Sequence, residues 1–453
     1  MLPLDDTAHK RLIIGLGETG LSCARYFSRL KLPFILLDTR LTPPYLATCQ
    51  QDFPDVPLYL GPLDPRLLQQ ATELIVSPGI NLSEPAIGDA IASAGVLPMS
   101  DIELFIGKVQ APIIAITGTN AKGTVTTLVG DMIRAAGRTA EVGGNIGITV
   151  LDLLNIPPPD FYVLEISSFQ LETTYSLKAK IATILNISPD HFDRHKTLEN
   201  YTQTKQRIYH QCDIAVWNRS DPATRPSGYP PKKILSFGLE KVNAHSPEFG
   251  LQRLNNLIYL TKGAQCLVPV NRLHIKGQHN WANALAALTI GHAINLPLAA
   301  MLKALCQFKG LPHRCQWIKE EKGIAWYNDS KATNIGATLA ALNGLGPAIS
   351  GKIILIAGGL GKGADFNLLS TSVARYVKTA LLIGQDAPLL KKALENYTVT
   401  QVASDLPQAI ALAQQAAVSG DAVLLSPACA SMDMFKNYEE RGDIFVQLVR
   451  TIY

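Results

Sequence analysis

The chain has 453 residues, 47% of them hydrophobic and 17% charged, with 41 Lys and Arg against 37 Asp and Glu. At roughly 150 residues per domain this is material for about three cored domains, and the balance excludes a disordered or collagen-like chain. A net charge of +4, with no basic run, excludes a nucleic-acid footprint; it suits anionic small-molecule substrates and plain solvation equally.

Cys23, Cys49, Cys212, Cys266, Cys306, Cys315 and Cys429 are odd in number, scattered, and never paired as CxxC. They read mostly as reduced core residues of a cytoplasmic protein rather than as a zinc or disulfide framework. No run reaches the roughly 18 apolar residues of a membrane span. Lys10 and Arg11 precede an apolar stretch as in a signal peptide, but Gly15, Gly17, Glu18 and Gly20 interrupt it and no cleavage site follows. Secretion is not expected.

Elements alternate from the start. Apolar runs at 12–15, 34–37 and 74–76 predict strands, with a helix over 21–30. Strands are predicted again at 113–116, 162–166 and 181–185; 220–270 reads as loops and hairpins, and 281–294 as an alanine-rich helix. A third series begins near Leu311, with strands at 353–357, 380–383 and 422–425 and a helix over 407–418. Such alternation predicts α/β units on largely parallel sheets: 1–100, 101–310 and 311–453.

Chemistry-bearing residues fall after strands, where α/β sites form. Gly15-Leu-Gly17-Glu-Thr-Gly20 opens a helix, and Asp38 ends the next strand. This is the pattern of a Rossmann turn, with Asp38 placed to accept from a ribose; a turn whose glycines serve only packing has the same sequence. Gly118-Thr-Asn-Ala-Lys122-Gly-Thr124 resembles a phosphate loop but has Ala121 where glycine precedes the lysine and Gly123 where Ser or Thr follows it. Glu165 ends an apolar strand, and Asp190-His-Phe-Asp193 follows another, so a carboxylate and a histidine could share magnesium. His195 and His210 read as structural. In the last unit, Leu311-Pro-His-Arg314, Asn328-Asp-Ser-Lys-Ala-Thr-Asn334, Gly358-Gly-Leu-Gly-Lys362 and Ser426-Pro-Ala-Cys-Ala-Ser431 gather donors suited to phosphate or carboxylate.

With Ser77-Pro-Gly-Ile80, Gly143-Gly-Asn-Ile-Gly147, Glu165-Ile-Ser-Ser-Phe-Gln-Leu-Glu172, Gly277-Gln-His-Asn280 and Phe435-Lys-Asn-Tyr-Glu-Glu-Arg-Gly442, these motifs make the chain resemble, end to end, the Mur ligases, ATP-dependent amide-forming enzymes of peptidoglycan synthesis. The 426–442 segment is similar to that of the D-glutamate-adding member. The resemblance implies a Rossmann-like N-terminal domain, a central P-loop ATPase-like domain and a Rossmann-like C-terminal domain in a monomer. It implies that Glu18 (through its backbone), Thr19, Thr39, Arg40, Ser77, Asn145 and His191 meet a UDP-sugar-peptide. Gly118, Thr119, Asn120, Ala121, Lys122, Gly123 and Thr124 would cradle ATP, with Asn280, Asn283, Arg314 and Asp329 at adenine, ribose and phosphates. Thr124, Glu165, His191 and a carbamylated Lys205 would hold magnesium. Lys331, Thr333, Lys362, Ser431 and Tyr438 would bind D-glutamate.

The implied reaction joins D-glutamate to UDP-N-acetylmuramoyl-L-alanine through an acyl phosphate, releasing ADP and phosphate, with Lys122, Glu165, His191 and Lys205 at the chemistry. The rivals are a sibling amide ligase, such as a folylpolyglutamate-type enzyme, and a catalytically silent nucleotide-binding regulator. The Rossmann-like start and the 426–442 segment disfavour the first; intact Lys122, Glu165, His191 and Lys205 disfavour the second.

Overall fold

The computed structural model describes residues 10–228, 230–361 and 363–452. They form two compact units: 10–237 with Ala286–Met301, and Gly238–Leu285 with 302–452.

The first unit opens on five parallel strands, β1 (Arg11–Ile14), β2 (Phe34–Asp38), β3 (Leu58–Leu60), β4 (Glu73–Val76) and β5 (Pro98–Met99), in the order β3-β2-β1-β4-β5. That is the order of a Rossmann sheet. Side chains of β1 alternate between its two faces, as a doubly covered strand requires: Ile13 joins one apolar cluster, Leu12 and Ile14 another. The helix Glu18–Arg29 follows immediately, with Glu18 at its positive end and Arg29 at its negative end, the favourable arrangement for its dipole. Gly15 (φ +98°) and Gly20 make the tight turn possible. A Cβ on Gly20 would lie 1.9 Å from the Gly15 carbonyl oxygen, and one on Gly15 would lie 2.8 Å from Ser77 Cβ.

Six more parallel strands complete this unit: β6 (Ile113–Thr117), β7 (Ala140–Gly144), β8 (Phe161–Glu165), β9 (Ile181–Ile184), β10 (Ile214–Asn218) and β11 (Lys233–Phe237), in the order β11-β10-β9-β6-β8-β7. One apolar cluster runs from Ile13 and Phe27 through Phe105 and Val150 to Tyr162 and Leu164. The two sheets of this unit therefore share a core. A hydrogen bond between the buried hydroxyls of Ser22 and Thr149 crosses the same boundary.

The second unit carries an antiparallel meander, β12 (Phe249–Leu254), β13 (Leu257–Lys262) and β14 (Gln265–Pro269). Its second sheet contains β15 (Gln316–Glu321), β16 (Ile324–Asn328), β17 (Ile353–Gly358), β18 (Val377–Ile383), β19 (Val399–Val402) and β20 (Ala422–Leu425), ordered β15-β16-β20-β17-β18-β19. Only β15 runs antiparallel, joined to β16 by a two-residue turn at Lys322 (φ +52°) and Gly323 (φ +75°), the conformation that fits a tight hairpin. Ile353, Leu355 and Ala357 face one core, Ile354 and Ile356 the other.

The predicted hairpins within 220–270 are found at 249–269, but β10 and β11 are parallel strands. Lys233 and Ile234 of β11 are exposed, so that strand lacks the continuous apolar run that marks a covered one.

Candidate active site

Three turns of the first unit close around a cavity of about 390 Å³. Its walls include Gly15, Glu18 and Thr19 after β1, Thr39 and Arg40 after β2, and Ser77 after β4, facing Asn145 after β7. Six of the seven residues assigned to the UDP substrate are thus brought together; His191 is not among the lining residues. Gly144, Gly147, Thr149 and Gln170, to which the sequence pattern assigns no role, also line the cavity.

Asp38 corrects an expectation. Its fully buried carboxylate accepts from Leu16 N at 2.7 Å, Arg40 N at 2.8 Å, and Arg40 Nε and Nη2 at 2.9 and 2.8 Å. Burial pushes its pKa up, but the hydrogen bonds from Arg40 and Leu16 outweigh that and hold it below the usual range. Both oxygens are already engaged, so Asp38 aims Arg40 into the cavity instead of meeting a ribose.

The phosphate loop leaves β6 at Thr117, and its helix Lys122–Ala135 begins one residue after Ala121, which sits in the left-handed region at φ +66°, ψ 0°. That is the conformation for which glycine is the usual residue. Lys122 Nζ donates to the carbonyls of Gly118 (3.0 Å) and Thr119 (3.1 Å). Asn120 and Asn186 exchange hydrogen bonds of 2.8 and 3.1 Å, and Thr119 N donates to Asn186 O at 2.9 Å. Thr124 is buried one turn into the helix, next to the buried Gly123.

Glu165, at the exit of β8, is 3% exposed. Its Oε1 accepts from Asn145 Nδ2 at 2.9 Å, while its buried Oε2 has no hydrogen-bond donor among the described residues. A buried carboxylate oxygen without a donor is costly and suits a cation. Lys205 is 1% exposed; its Nζ donates to Gly118 O at 3.0 Å and Thr117 Oγ1 at 3.3 Å, and lies 4.7 Å from the Tyr201 ring centre. Burial first, then the charge of Lys122, pulls its pKa well below that of an ordinary lysine, against the opposing pull of Asp190 and Glu165. His191 is exposed, in the left-handed region at φ +54°, with its ring edge-on to Phe169 at 4.8 Å. His195 is buried, its Nε2 3.0 Å from Ser168 Oγ. Among the described residues no three His, Cys, Asp or Glu converge as a ready-made cation site.

In the second unit, Asn283 Nδ2 donates to Asn280 Oδ1 (3.1 Å), and both side chains are buried. Asp329 is buried after β16, accepting from Cys315 N (2.9 Å) and Ser426 Oγ (2.8 Å). Burial raises its pKa to about 7 although Ser426 and Cys315 oppose the shift. Lys331 Nζ donates to the Tyr438 hydroxyl at 2.9 Å. Ser431 is buried, Arg314 partly so and Thr333 exposed; Lys362 lies outside the described residues. Arg441 had been given no role. It is fully buried, donating from Nε to Ser330 Oγ (3.0 Å) and from Nη2 to Ser330 O (2.8 Å) and Cys429 O (3.2 Å). It ties the segment after β16 to the one after β20.

A Rossmann-type sheet, an ATPase-like sheet with a loop that resembles a phosphate loop, and a third, mostly parallel sheet define the class. Family models match the MurD-like N-terminal domain of Mur ligases at 9–97, the Mur ligase middle domain at 116–291 and the glutamate ligase domain at 313–429. The chain belongs to the Mur ligase family. It is 49% identical to the UDP-N-acetylmuramoylalanine--D-glutamate ligase of Legionella pneumophila (strain Lens) over 97% of this chain and 98% of that one. It is also 49% identical to the Pseudomonas aeruginosa enzyme of the same name, over 98% of each chain. Among solved structures, the MurF ligase of Thermotoga maritima in complex with ADP aligns over 99% of this chain and 100% of its own, at a TM-score of 0.59 and 15% identity; that likeness shows the shared fold.

Proposed function

We propose that this chain uses ATP to join D-glutamate to UDP-N-acetylmuramoyl-L-alanine in peptidoglycan precursor synthesis. The observation that carries the reading is Asn145, which lines the nucleotide-sugar cavity and hydrogen-bonds Glu165 at the edge of the phosphate site. One side chain thus touches both the place where the muramoyl substrate would lie and the carboxylate where phosphoryl chemistry would occur.

The chemistry is set by charge. Substrate carboxylate and γ-phosphate repel, and neither reacts until the repulsion is offset. Lys122, at the head of its helix, would exchange the carbonyls of Gly118 and Thr119 for phosphate oxygens. The loop amides and the helix N-terminus add to that field. The carboxylate oxygen then bonds to the γ-phosphorus as the bond to ADP breaks. The neutral amine of D-glutamate attacks the acyl carbon, phosphate leaves with the electron pair of the broken C–O bond, and nitrogen gives up a proton to the departing phosphate or solvent. Lys122 and the backbone donors would stabilise the oxyanion between those two events.

The residues fit magnesium. Glu165 would supply a buried oxygen that has no donor among the described residues, His191 an imidazole, Thr124 a hydroxyl, and Lys205 an oxygen pair once carbamylated. When bound, the ion would neutralise charge on the transferring phosphoryl group. Carbamylation needs a neutral amine, whose lone pair bonds to the carbon of CO2 as nitrogen loses a proton. The environment of Lys205 favours that neutral form. Gly123 removes the hydroxyl that ordinarily follows the loop lysine, so Thr124 or water would supply that donor and magnesium dependence would be weaker. Arg314, Asp329, Asn280 and Asn283 would meet the rest of ATP; Lys331, Thr333, Lys362, Ser431 and Tyr438 would receive D-glutamate. Three small-molecule anions are the partners, and the place of action is the cytoplasm. Among the described residues no helix is long and apolar enough to cross a membrane. Phosphate release that requires both the muramoyl-alanine substrate and D-glutamate is the test; release indifferent to the amino acid would refute the reading.

A further inference from the structure

Arg194 belongs to none of the groups assigned above, yet its side chain is only 6% exposed. Nε donates to Glu172 Oε1 and Oε2 at 3.2 and 3.1 Å, and Nη2 donates to Oε2. Nη1 donates to the carbonyl of Pro78, a wall residue of the nucleotide-sugar cavity. The Arg194 carbonyl lies 3.2 Å from Ser83 Oγ, which shares its one proton between that carbonyl and Asn81 Oδ1 at 2.7 Å, a second and weaker tie to the same loop. The guanidinium lies 4.3 Å from the Phe169 ring centre, and His191 packs edge-on to that ring at 4.8 Å.

The other end of the same segment is fastened to the phosphate loop. Asn186 O accepts from Thr119 N at 2.9 Å, Asn186 Oδ1 accepts from Asn120 N at 2.8 Å, and Ser188 N donates to Thr119 Oγ1 at 3.0 Å. Residues 186–194 therefore form a strap with one end on the phosphate loop, the other on the cavity wall, and His191 between. A planar guanidinium can hold a carboxylate along one edge and a third acceptor on its remaining nitrogen; an ammonium cannot reproduce that fork.

We infer that Arg194 is a positioning residue that couples the nucleotide-sugar cavity to the phosphate loop, so that filling either site raises affinity at the other. Coupling of this kind is reciprocal, and its ordinary size is roughly 5- to 150-fold. The inference rests on the ligase reading. Its test is the dissociation constant of UDP-N-acetylmuramoyl-L-alanine measured with and without a non-hydrolysable ATP analogue and magnesium, in wild type, Arg194→Lys and Ser83→Ala. Wild type should bind the sugar nucleotide about fivefold or more tightly with the analogue present. In Arg194→Lys that ratio should fall to within about twofold of one, while the protein still binds each ligand alone. Ser83→Ala, which leaves no buried charge unpaired, should give an intermediate ratio and decides the matter if Arg194→Lys does not fold. A purely structural role would lower the unfolding temperature and leave the ratio at its wild-type value. That result, or a wild-type ratio of one, overturns the inference. Coupling retained in the variants overturns it but leaves the ligase reading intact; a wild type that binds no sugar nucleotide removes both.

Discussion

The strained residue at the head of the phosphate-loop helix makes a sharp prediction. Ala121 has φ +66°, where an L-residue with a Cβ carries roughly 1–2 kcal/mol of steric cost. Ala121→Gly removes that cost but gives the unfolded chain more freedom, worth about 0.4–1 kcal/mol against the fold. The net is a stabilisation of at most about 1.6 kcal/mol, and about 0.8 kcal/mol at the midpoints of the two ranges. The same exchange at the other end of the same helix has no strain to relieve. Ala135 is exposed, in the last helical turn, and Ala135→Gly should destabilise by up to about 1 kcal/mol. At about 2–4 °C per kcal/mol for a unit of this size, calorimetry of the unliganded proteins should place Ala121→Gly one to a few degrees above wild type (about 1–4 °C) and Ala135→Gly below it. If both substitutions lower the transition by the same amount, the left-handed strain at Ala121 is not there and the reasoning fails.

Three further outcomes follow from the geometry. Asp101 is 2% exposed, and burial raises its pKa to about 6 although Gln170 donates to it. Its folded form prefers the proton, so its contribution is intact below about pH 4, falls as pH rises toward 6, and is level above that. At about 1.4 kcal/mol per pH unit, the stability of Asp101→Asn relative to wild type should rise by up to about 3 kcal/mol between pH 4 and 7 in urea titrations; a difference that does not vary with pH contradicts the burial argument. Removing CO2 and bicarbonate should lower turnover at least several-fold, and bicarbonate should restore it, because Lys205 would revert to an amine; unchanged turnover in CO2-free buffer counts against the carbamate. Gly123→Ser should steepen the magnesium dependence of phosphate release, and an unaltered magnesium titration would show that the missing hydroxyl has no role.

The parts legible in the sequence were those with local causes. The strands at β1, β6, β9, β17 and β20 are apolar runs long enough to be buried on both faces; the turn after β1 carries the glycines its geometry needs, and the turn after β6 carries its lysine but has Ala121 where the left-handed backbone favours glycine. What composition and spacing could not reveal was pairing at a distance. Asp38 stands where a ribose acceptor belongs, but Arg40, two residues on, and the Leu16 amide saturate it. Arg194 and Glu172 are unremarkable charges 22 positions apart until the loop after β9 folds onto the helix after β8. Arg441 stands in sequence as one charge in a run with Glu439 and Glu440, yet it is buried because Ser330 and Cys429 give it acceptors from two other segments. The assignments of ligands to individual residues came from family likeness; the structure adds which of them share a wall.

The central claim is the identity of the amine. Phosphate release should be followed with ATP, magnesium and UDP-N-acetylmuramoyl-L-alanine, adding D-glutamate, L-glutamate or neither. The account predicts sustained release with D-glutamate, accompanied by a product heavier by one glutamyl residue, and only background with the other two. Equal release in all three would contradict it.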